Sequence, residues 1–283
     1  MTIRKTFTLA GIIAASSALA LAPLLPAAAA TDDVAWGSWG AVGPSSLSAE
    51  TVTFTGTNFV NGTWAVTGAA GYEILDTTTA GEYFTAETPI GTAFSANGPD
   101  LGANFLKVTM PAGGQSTLTV TFDAAVPADQ LGIAVSDIDT DHVSISGTDA
   151  NDGALTGAQI NGSATTQGFN FCAVTDPPSA CGGDTDTPSL STGATDVTAT
   201  GTSAGTDGSS AWFRPNTTVK SLSFTFFNDD SGNTSSERVW LVQKYTPAPL
   251  PNTGVNGGLV AGIAGLSIAL IAAGGLIVAR RRA

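Results

Sequence analysis

Short runs in which apolar and polar residues alternate with a period of two fill most of the chain between residues 51 and 242. These runs are rich in β-branched and aromatic residues, and Gly, Pro, Asn or Asp bounds most of them, which is typical of strands joined by turns. No window carries a sustained helical period. The pattern predicts an all-β domain, an antiparallel β-sandwich of jelly-roll-like topology. The predicted strands are 51–55, 105–110, 116–122, 131–135, 143–145, 168–171, 211–213, 219–227 and 238–242.

One long interior stretch departs from this pattern. Residues 184–210 are dominated by Gly, Ser, Thr and Asp and contain few large apolar residues. That composition predicts a long loop with at most one strand, at Asp196–Thr200.

Two long apolar runs lie near the ends of the chain. Arg4 and Lys5 precede the first run, 7–25, and small residues follow it up to Ala30, so residues 1–30 are predicted to be a secretory signal peptide. The second run, 255–279, carries no charge. It is long enough to cross a hydrocarbon core of about 30 Å as a helix, and the arginines that follow it would hold its end in the cytoplasm. The sequence therefore predicts a C-terminal transmembrane helix within residues 255–283.

A pentapeptide stands directly before the second apolar run. It consists of Leu250, Pro251, Asn252, Thr253 and Gly254. The pentapeptide, apolar segment and basic tail together resemble the cell-wall sorting signal of Gram-positive LPXTG surface proteins, the substrates of sortases. Scarce lysine with abundant Ala, Gly and Thr is similar to the usage of actinobacterial proteins. The alternative is an ordinary membrane anchor with a chance motif.

The resemblance implies a processing reaction in which this chain is the substrate. A sortase cysteine attacks the carbonyl of Thr253, the chain from Gly254 onward departs, and the acyl group passes to an amine of a peptidoglycan precursor. The expected partners are therefore a sortase and, covalently through Thr253, peptidoglycan. The expected localisation is the cell wall and cell surface, after a transient stay of the precursor in the plasma membrane.

These features divide the chain into four segments. Residues 1–30 form the signal peptide, 31–246 the β-sandwich ectodomain, 247–254 a Pro-containing linker with the sorting motif, and 255–283 the transmembrane helix and basic tail. The ectodomain has the usual size of a single all-β domain.

The exported part of the chain is strongly acidic. All 23 Asp and Glu residues lie between positions 31 and 253, against five basic residues, which makes a formal net charge of −18. Such a balance disfavours nucleic acid as a partner and favours cations or simple solubility.

Cys172 and Cys181 are the only cysteines. In an exported protein, two cysteines that flank a short loop containing Pro177 and Pro178 predict a disulfide. Two free thiols or a metal pair are the alternatives, but no His or further Cys lies nearby to complete a metal site.

The densest local chemistry is a loop with alternating aspartates. Asp137, Asp139 and Asp141 follow a predicted strand, and three adjacent carboxylates repel one another unless they are protonated, solvated or neutralised by a cation. Oxygen ligands suit Ca²⁺, although the loop is not an EF-hand. The sequence thus suggests a candidate Ca²⁺ site and no other cofactor, with a solvated acidic turn as the alternative. A second acidic turn, 228–233, either belongs to the same site or is a separate hairpin loop.

The sequence predicts no enzyme. His142 is the only histidine, and no motif for nucleophilic, metal-dependent or phosphate chemistry occurs. A glycosidase needs only two carboxylates, but nothing in the sequence sets any pair apart. The glutamates available for such a pair are Glu50, Glu73, Glu82, Glu87 and Glu237.

Five tryptophans offer a binding alternative. Trp36 and Trp39 are the better candidates for exposed, sugar-stacking rings, unless a first strand docks on the domain and covers them, whereas Trp64, Trp212 and Trp240 fall in strands and suit a core. We therefore expect a non-enzymatic, wall-anchored surface protein that acts by adhesion or by binding a glycan or protein ligand. The alternatives are a structural wall component or basal pilus subunit, and a wall-bound glycan hydrolase.

Overall fold

A computed structural model describes the chain at residues 33–40, 50–76, 84, 87–94, 104–175, 177, 181, 183, 185–203, 205 and 208–245. All of these lie in one compact unit, Asp32–Thr246. The predicted signal peptide, the sorting motif 250–254 and the apolar segment 255–279 lie outside the described residues. Within the described ranges, no helix has the length and apolar character needed to cross a bilayer.

The described residues form an all-β fold with two short helices, which confirms the all-β part of the prediction. The helices are α1, Pro89–Phe94, and α2, Gly157–Asn161, and a 3-10 turn spans Phe171–Ala173. The strands are β1 Asp33–Trp39, β2 Glu50–Phe54, β3 Gly62–Thr67, β4 Gly71–Asp76, β5 Asn104–Met110, β6 Gln115–Val126, β7 Leu131–Ser136, β8 His142–Thr148, β9 Gly168–Asn170, β10 Ser189–Thr192, β11 Asp196–Thr200, β12 Ser209–Phe213, β13 Val219–Phe227 and β14 Ser235–Tyr245.

Strand β6 shows why the alternating sequence folds in this way. Leu118, Val120 and Phe122 are fully buried, while the residues between them are partly or fully exposed. Because successive side chains of a strand point to opposite faces, the period of two gives one apolar face and one polar face. Burial of the apolar faces is the main stabilising term of such a sheet.

Every pair of named strands is antiparallel, and the strands follow one continuous path. The order is β10-β11-β8-β13-β6-β3-β2-β1-β14-β7-β12-β9, and β5 also pairs with β14 and carries β4 on its other side. Strand β1 joins two parts of this path, the part from β10 to β2 and the part from β14 to β9. Its first residues, Asp33–Trp36, pair with β14, whereas Gly37–Trp39 pair with β2.

The apolar residues form two clusters. The first combines side chains from both parts of the path, for example Leu118 and Phe224 with Ile133 and Leu241. The second contains aromatic residues such as Trp240 and packs on the opposite face of β7 and β14. Strand β7 is consequently buried along its whole length, which accounts for its uninterrupted apolar sequence.

The stretch 184–210 contains two strands, so the prediction of at most one strand is wrong. Strand β11 has the predicted bounds, and β10 pairs with it along its full length. Strand β10 is an edge strand at the end of the path, and three of its four residues are exposed. Only Leu190 of this edge strand packs against the core, and a single partly buried residue gives no apolar alternation from which the sequence could reveal a strand.

The tryptophans near the start of the domain are not an exposed pair. Trp39 is 2% exposed and packs edge-on against Trp64, with ring centroids 5.8 Å apart. Trp36 is partly buried and stacks on Phe84. The reason is that β1 lies between β2 and β14, where its side chains are covered. This is the case in which the sequence predicted Trp36 and Trp39 to be covered. The strand residues Trp64, Trp212 and Trp240 are buried as expected.

The predicted disulfide between Cys172 and Cys181 is confirmed, with Cα atoms 5.5 Å apart. The Asn170 side chain accepts a hydrogen bond from the Cys172 N–H and starts the 3-10 turn, so β9 ends one residue before the predicted boundary. On the chain-entropy estimate, closing so short a loop contributes about 2–3 kcal/mol to stability.

Candidate functional site

An acidic cleft lies where several strands of the path begin or end. Strand β7 ends at Ser136 and β8 begins at His142, and the loop between them meets the turn that joins β13 to β14. The cleft has a volume of about 330 Å³. Its carboxylates are Asp137, Asp139, Asp141 and Asp230, and its hydroxyl groups come from Thr140, Thr234, Ser235 and Ser236. These residues, together with the buried Glu237 beside them, are called the acidic site below.

Backbone hydrogen bonds fix the first loop of the acidic site. Asp137 has a φ of 71°, a left-handed conformation that Asp tolerates better than most residues, and it turns the chain at the end of β7. The N–H groups of Asp137 and Ile138 both donate to the Ser209 carbonyl at the start of β12. Ile138 is fully buried, and the Gly201 N–H donates to the Asp141 carbonyl at 2.9 Å. The loop is therefore held from both sides.

The second acidic turn belongs to the same cleft, which resolves a choice that the sequence left open. Asp230 lines the cleft and accepts hydrogen bonds from the Asn233 side chain and the Gly232 N–H, which lower the pKa of its carboxyl. Nearby, His142 Nδ1 lies 2.9 Å from Asp229 Oδ2, and the imidazole stacks on the ring of Phe227. The histidine thus ties the two turns together.

Glu237 is the residue that sequence reasoning did not single out. It is 0% exposed, and neither of its carboxylate oxygens has a hydrogen-bond partner. Burial raises the pKa of the Glu237 carboxyl well above its usual value, and the charges of Asp141, Asp137 and Asp139 add to the rise. A signal was present in the sequence, because a glutamate two residues before Val239 stands in the register of core residues.

The pairing of β14 explains how Glu237 reaches the three aspartates. Arg238 pairs with Ser136, the last residue of β7. Because the strands are antiparallel, Glu237, which precedes Arg238, lies next to Asp137, which follows Ser136. On the other side, Glu237 pairs with Val108 of β5. The carboxylate therefore lies at the end of the main core, directly beneath the acidic loop.

Buried oxygen atoms without partners are concentrated in this region. In the described part of the chain, nine buried side-chain nitrogen or oxygen atoms lack a hydrogen bond, and six of them belong here. They are Ser136 Oγ, Asp141 Oδ1, Ser209 Oγ, Ser235 Oγ and both carboxylate oxygens of Glu237. Each such atom costs about 1–3 kcal/mol, and a charged one costs more.

Asp141 shares the environment of Glu237. It is 2% exposed, and burial raises the pKa of its carboxyl. The charge of Asp139 adds to that rise. One cation lies close by, since Arg238 Nη1 is 3.1 Å from Asp137 Oδ1.

The structure thus brings together Asp137, Asp139 and Asp141 and adds Asp230 and Glu237 to them. Within the described residues, no three His, Cys, Asp or Glu side chains are already arranged to hold a metal ion. Asp149 lies at the far end of β8, where its side chain accepts the N–H groups of Asn151 and Gly153. It is not part of the acidic site.

The other candidate carboxylates lie elsewhere. Glu73 on β4 is 3.6 Å from Lys107 of β5, and Glu87 accepts the N–H of Thr175 beside the disulfide loop. Glu82 lies outside the described residues.

Glu237 has the raised pKa that a general acid needs, but its side chain has no exposed surface. A general acid must come within hydrogen-bond reach of its substrate, and the buried carboxyl of Glu237 has no such access in this structure.

The fold and the cleft define an antiparallel all-β protein with an acidic site at one end of its strands. No protein-family model matches the chain, and no curated protein matches it either. Among solved structures, it is similar to the enzymatically active domain of tailspike protein 4 from bacteriophage CBA120, with a TM-score of 0.29 and 13% identity. That match covers 64% of this chain and 19% of the tailspike chain, and a likeness at this level carries no argument about fold or activity.

Proposed function

We propose that this protein is an exported, sortase-anchored surface protein that binds a ligand and catalyses no reaction. The observation that carries the proposal is the position of β14. The acidic site lies at the first residue of this strand, Ser235, and the strand ends at Tyr245. The sorting motif begins at Leu250, after a short segment that contains two prolines.

The pairing of β14 suits a domain that is attached at its C-terminus. One edge of the strand pairs with β5 and then with β1, and the other edge pairs with β7. The last residue, Tyr245, pairs with Asp33 at the start of β1. A pulling force applied after Tyr245 would therefore load many hydrogen bonds at once, which favours a role at the cell surface.

The same strand leads from the acidic site at Ser235 to the last described residue, Tyr245. Its eleven residues span about 33 Å at roughly 3.3 Å per residue. The acidic site therefore lies at the opposite end of β14 from the residue at which the chain leaves the described domain. We propose that this end contacts the ligand in adhesion, and its charge favours basic or cation-bridged partners over nucleic acid.

We further propose that the sheet is a jelly-roll-like sandwich. Support comes from β1, which takes part in two ladders, and from the first apolar cluster, which combines residues of both parts of the path. Two layers that share one core would bury these side chains together.

The anchoring proposal can be tested in a Gram-positive host that produces a sortase. Wild-type protein should co-purify with peptidoglycan, and mass spectrometry of muralytic digests should find a chain that ends at Thr253. The variant Thr253→Ala should leave the wall fraction because the acyl transfer needs that residue, whereas the matched control Thr246→Ala should remain in it. Wild-type protein that still carries residues 254–283 in the wall fraction would refute the proposal.

The binding role is separable from the alternative roles. Cells that display the protein should bind members of a glycan and protein array, and Asp139→Asn should weaken that binding more than the control Glu73→Gln. An array without any binding would contradict the ligand-binding role and favour a structural or basal pilus role. Turnover of peptidoglycan fragments by the purified chain would contradict the non-enzymatic role and favour a hydrolase.

A further inference from the structure

The starting point is the chemical state of Glu237, which no contact among the described residues explains. The side chain is fully buried, and both of its oxygens lack a partner. A deprotonated carboxylate in this position would be an uncompensated buried charge. A protonated carboxyl would still carry a donor and acceptors with no partner. None of the described residues satisfies either state, and a bound species would supply the missing compensation.

The atoms near Glu237 indicate the chemistry of that species. Asp141 Oδ1 and Ser235 Oγ are also buried without a partner, and Asp137 and Asp139 line the adjoining cleft. All of these donors are oxygens, and several carry negative charge. Hard cations are bound by such sets, while thiolate and imidazole ligands select softer metals.

The geometry distinguishes among hard cations. The carboxylates come from a loop and a turn that line a cleft of about 330 Å³ and from the strand beside it, and within the described residues no three of them are already arranged around one point. Ca²⁺ accepts six to eight oxygens in flexible geometries, whereas Mg²⁺ needs near-ideal octahedral coordination and gives up its waters reluctantly. The site therefore favours Ca²⁺.

We propose that the acidic site binds Ca²⁺, with Glu237 as its buried ligand and with Asp139 and Asp141 as ligands from the loop above it. Asp137 keeps its contact with Arg238 and orients the loop. Because the carboxylates do not converge fully in the described structure, binding involves rotation of the loop side chains toward Glu237. The metal would then join β14 to the two acidic turns. This inference concerns the folded domain and does not depend on attachment to the wall.

The test is calorimetric titration of the full chain, purified in mild detergent, with CaCl₂ alone. One site with a dissociation constant of about 10⁻⁴–10⁻³ M is expected, which is the range of extracellular Ca²⁺ modules. MgCl₂ at the same ionic strength should bind more weakly. At ten times the dissociation constant, Ca²⁺ should raise the melting temperature by about 3–6 °C relative to chelator.

Two variants and one control locate the site. Glu237→Gln has almost the same shape as the native residue and should weaken Ca²⁺ binding by about tenfold or more, since it removes a charged ligand. Asp139→Asn, at the partly exposed rim, should act in the same direction without disturbing the core. The control Glu73→Gln removes one carboxylate on β4 and should bind Ca²⁺ as the wild type does.

Two outcomes would overturn the proposal. The first is wild-type protein with no heat of Ca²⁺ binding and equal melting temperatures in Ca²⁺ and chelator. The second is Glu237→Gln or Asp139→Asn binding Ca²⁺ as tightly as wild type and Glu73→Gln, which would show that Ca²⁺ binds elsewhere on the acidic surface.

Discussion

At the scale of single residues, burial rather than residue type decides what the carboxylates of this protein can do. Glu73 and Glu237 have the same side chain, yet Glu73 lies on the surface beside Lys107, and Glu237 is enclosed at the end of the core. Removing a carboxylate from water penalises its charged form. The same reasoning separates Asp141, which is buried, from Asp230, whose pKa is lowered by hydrogen bonds.

The raised pKa of Glu237 predicts how stability depends on pH in chelator. Above pH 4.5, the ordinary pKa of a glutamate, the unfolded chain loses the Glu237 proton while the folded protein keeps it. The unfolded state then binds fewer protons, so the free energy of unfolding falls as pH rises toward the folded pKa, by up to about 1.4 kcal/mol per pH unit. Asp141 contributes with the same sign.

Urea denaturation of the full chain between pH 5 and 8, with chelator present, measures this dependence. Glu237→Gln should flatten the profile, because the amide does not titrate, and Glu73→Gln should leave it as in the wild type. A wild-type profile that rises across this range, or an unchanged slope in Glu237→Gln, would show that the folded Glu237 carboxyl ionises normally.

At the scale of elements, the strands differ in how many neighbours hold them. Strand β1 pairs with β14 through Asp33–Trp36 and with β2 through Gly37–Trp39, and it joins the two parts of the path. Strand β10 is bonded only to β11 at the end of the path. Disruption of β1 should therefore cost far more than disruption of β10.

Matched proline substitutions test this difference. Ala35→Pro in β1 removes an N–H from a strand next to the core and should lower the free energy of unfolding by at least about 3 kcal/mol. Ser191→Pro in the exposed edge strand β10 should lower the free energy of unfolding by about 1 kcal/mol, because water can hydrogen-bond the backbone groups that lose their partner. Chemical denaturation of both variants gives the comparison, and equal losses would contradict the assigned strand order.

At the scale of the whole molecule, one apolar cluster unites the strands on either side of β1. Phe224 and Phe226 come from one part of the path and Ile133 and Leu241 from the other, and all four belong to the same cluster. Neither part can expose its face without opening the shared core. The disulfide lies in the second cluster and adds a local constraint.

A shared core predicts cooperative unfolding. Far-ultraviolet circular dichroism and tryptophan fluorescence should report a single transition with the same midpoint in urea. Trp64 lies in one part of the path and Trp240 in the other, so comparison of the wild type with Trp64→Phe and with Trp240→Phe shows what each part contributes to the fluorescence transition. Two distinct midpoints would mean that the parts fold as independent units.

The sequence by itself determined the features that depend on neighbours along the chain. The period of two predicted most of the strands because side chains alternate across any strand, whatever its partners. The spacing of Cys172 and Cys181 predicted the disulfide, and the alternating aspartates 137–141 marked the acidic loop. The apolar end segments and the sorting motif likewise belong to local sequence, and they stand as predictions.

Only the tertiary structure decided the features that depend on contacts between distant residues. It covered Trp39 with Trp64, paired β10 with β11, and brought the turn at Asp230 to the loop at Asp137. It also enclosed Glu237, which only its register with the core residues of β14 set apart from the other glutamates in the sequence. The physical reason is that burial, and with it the cost of an unpaired charge, depends on which strands close over a residue.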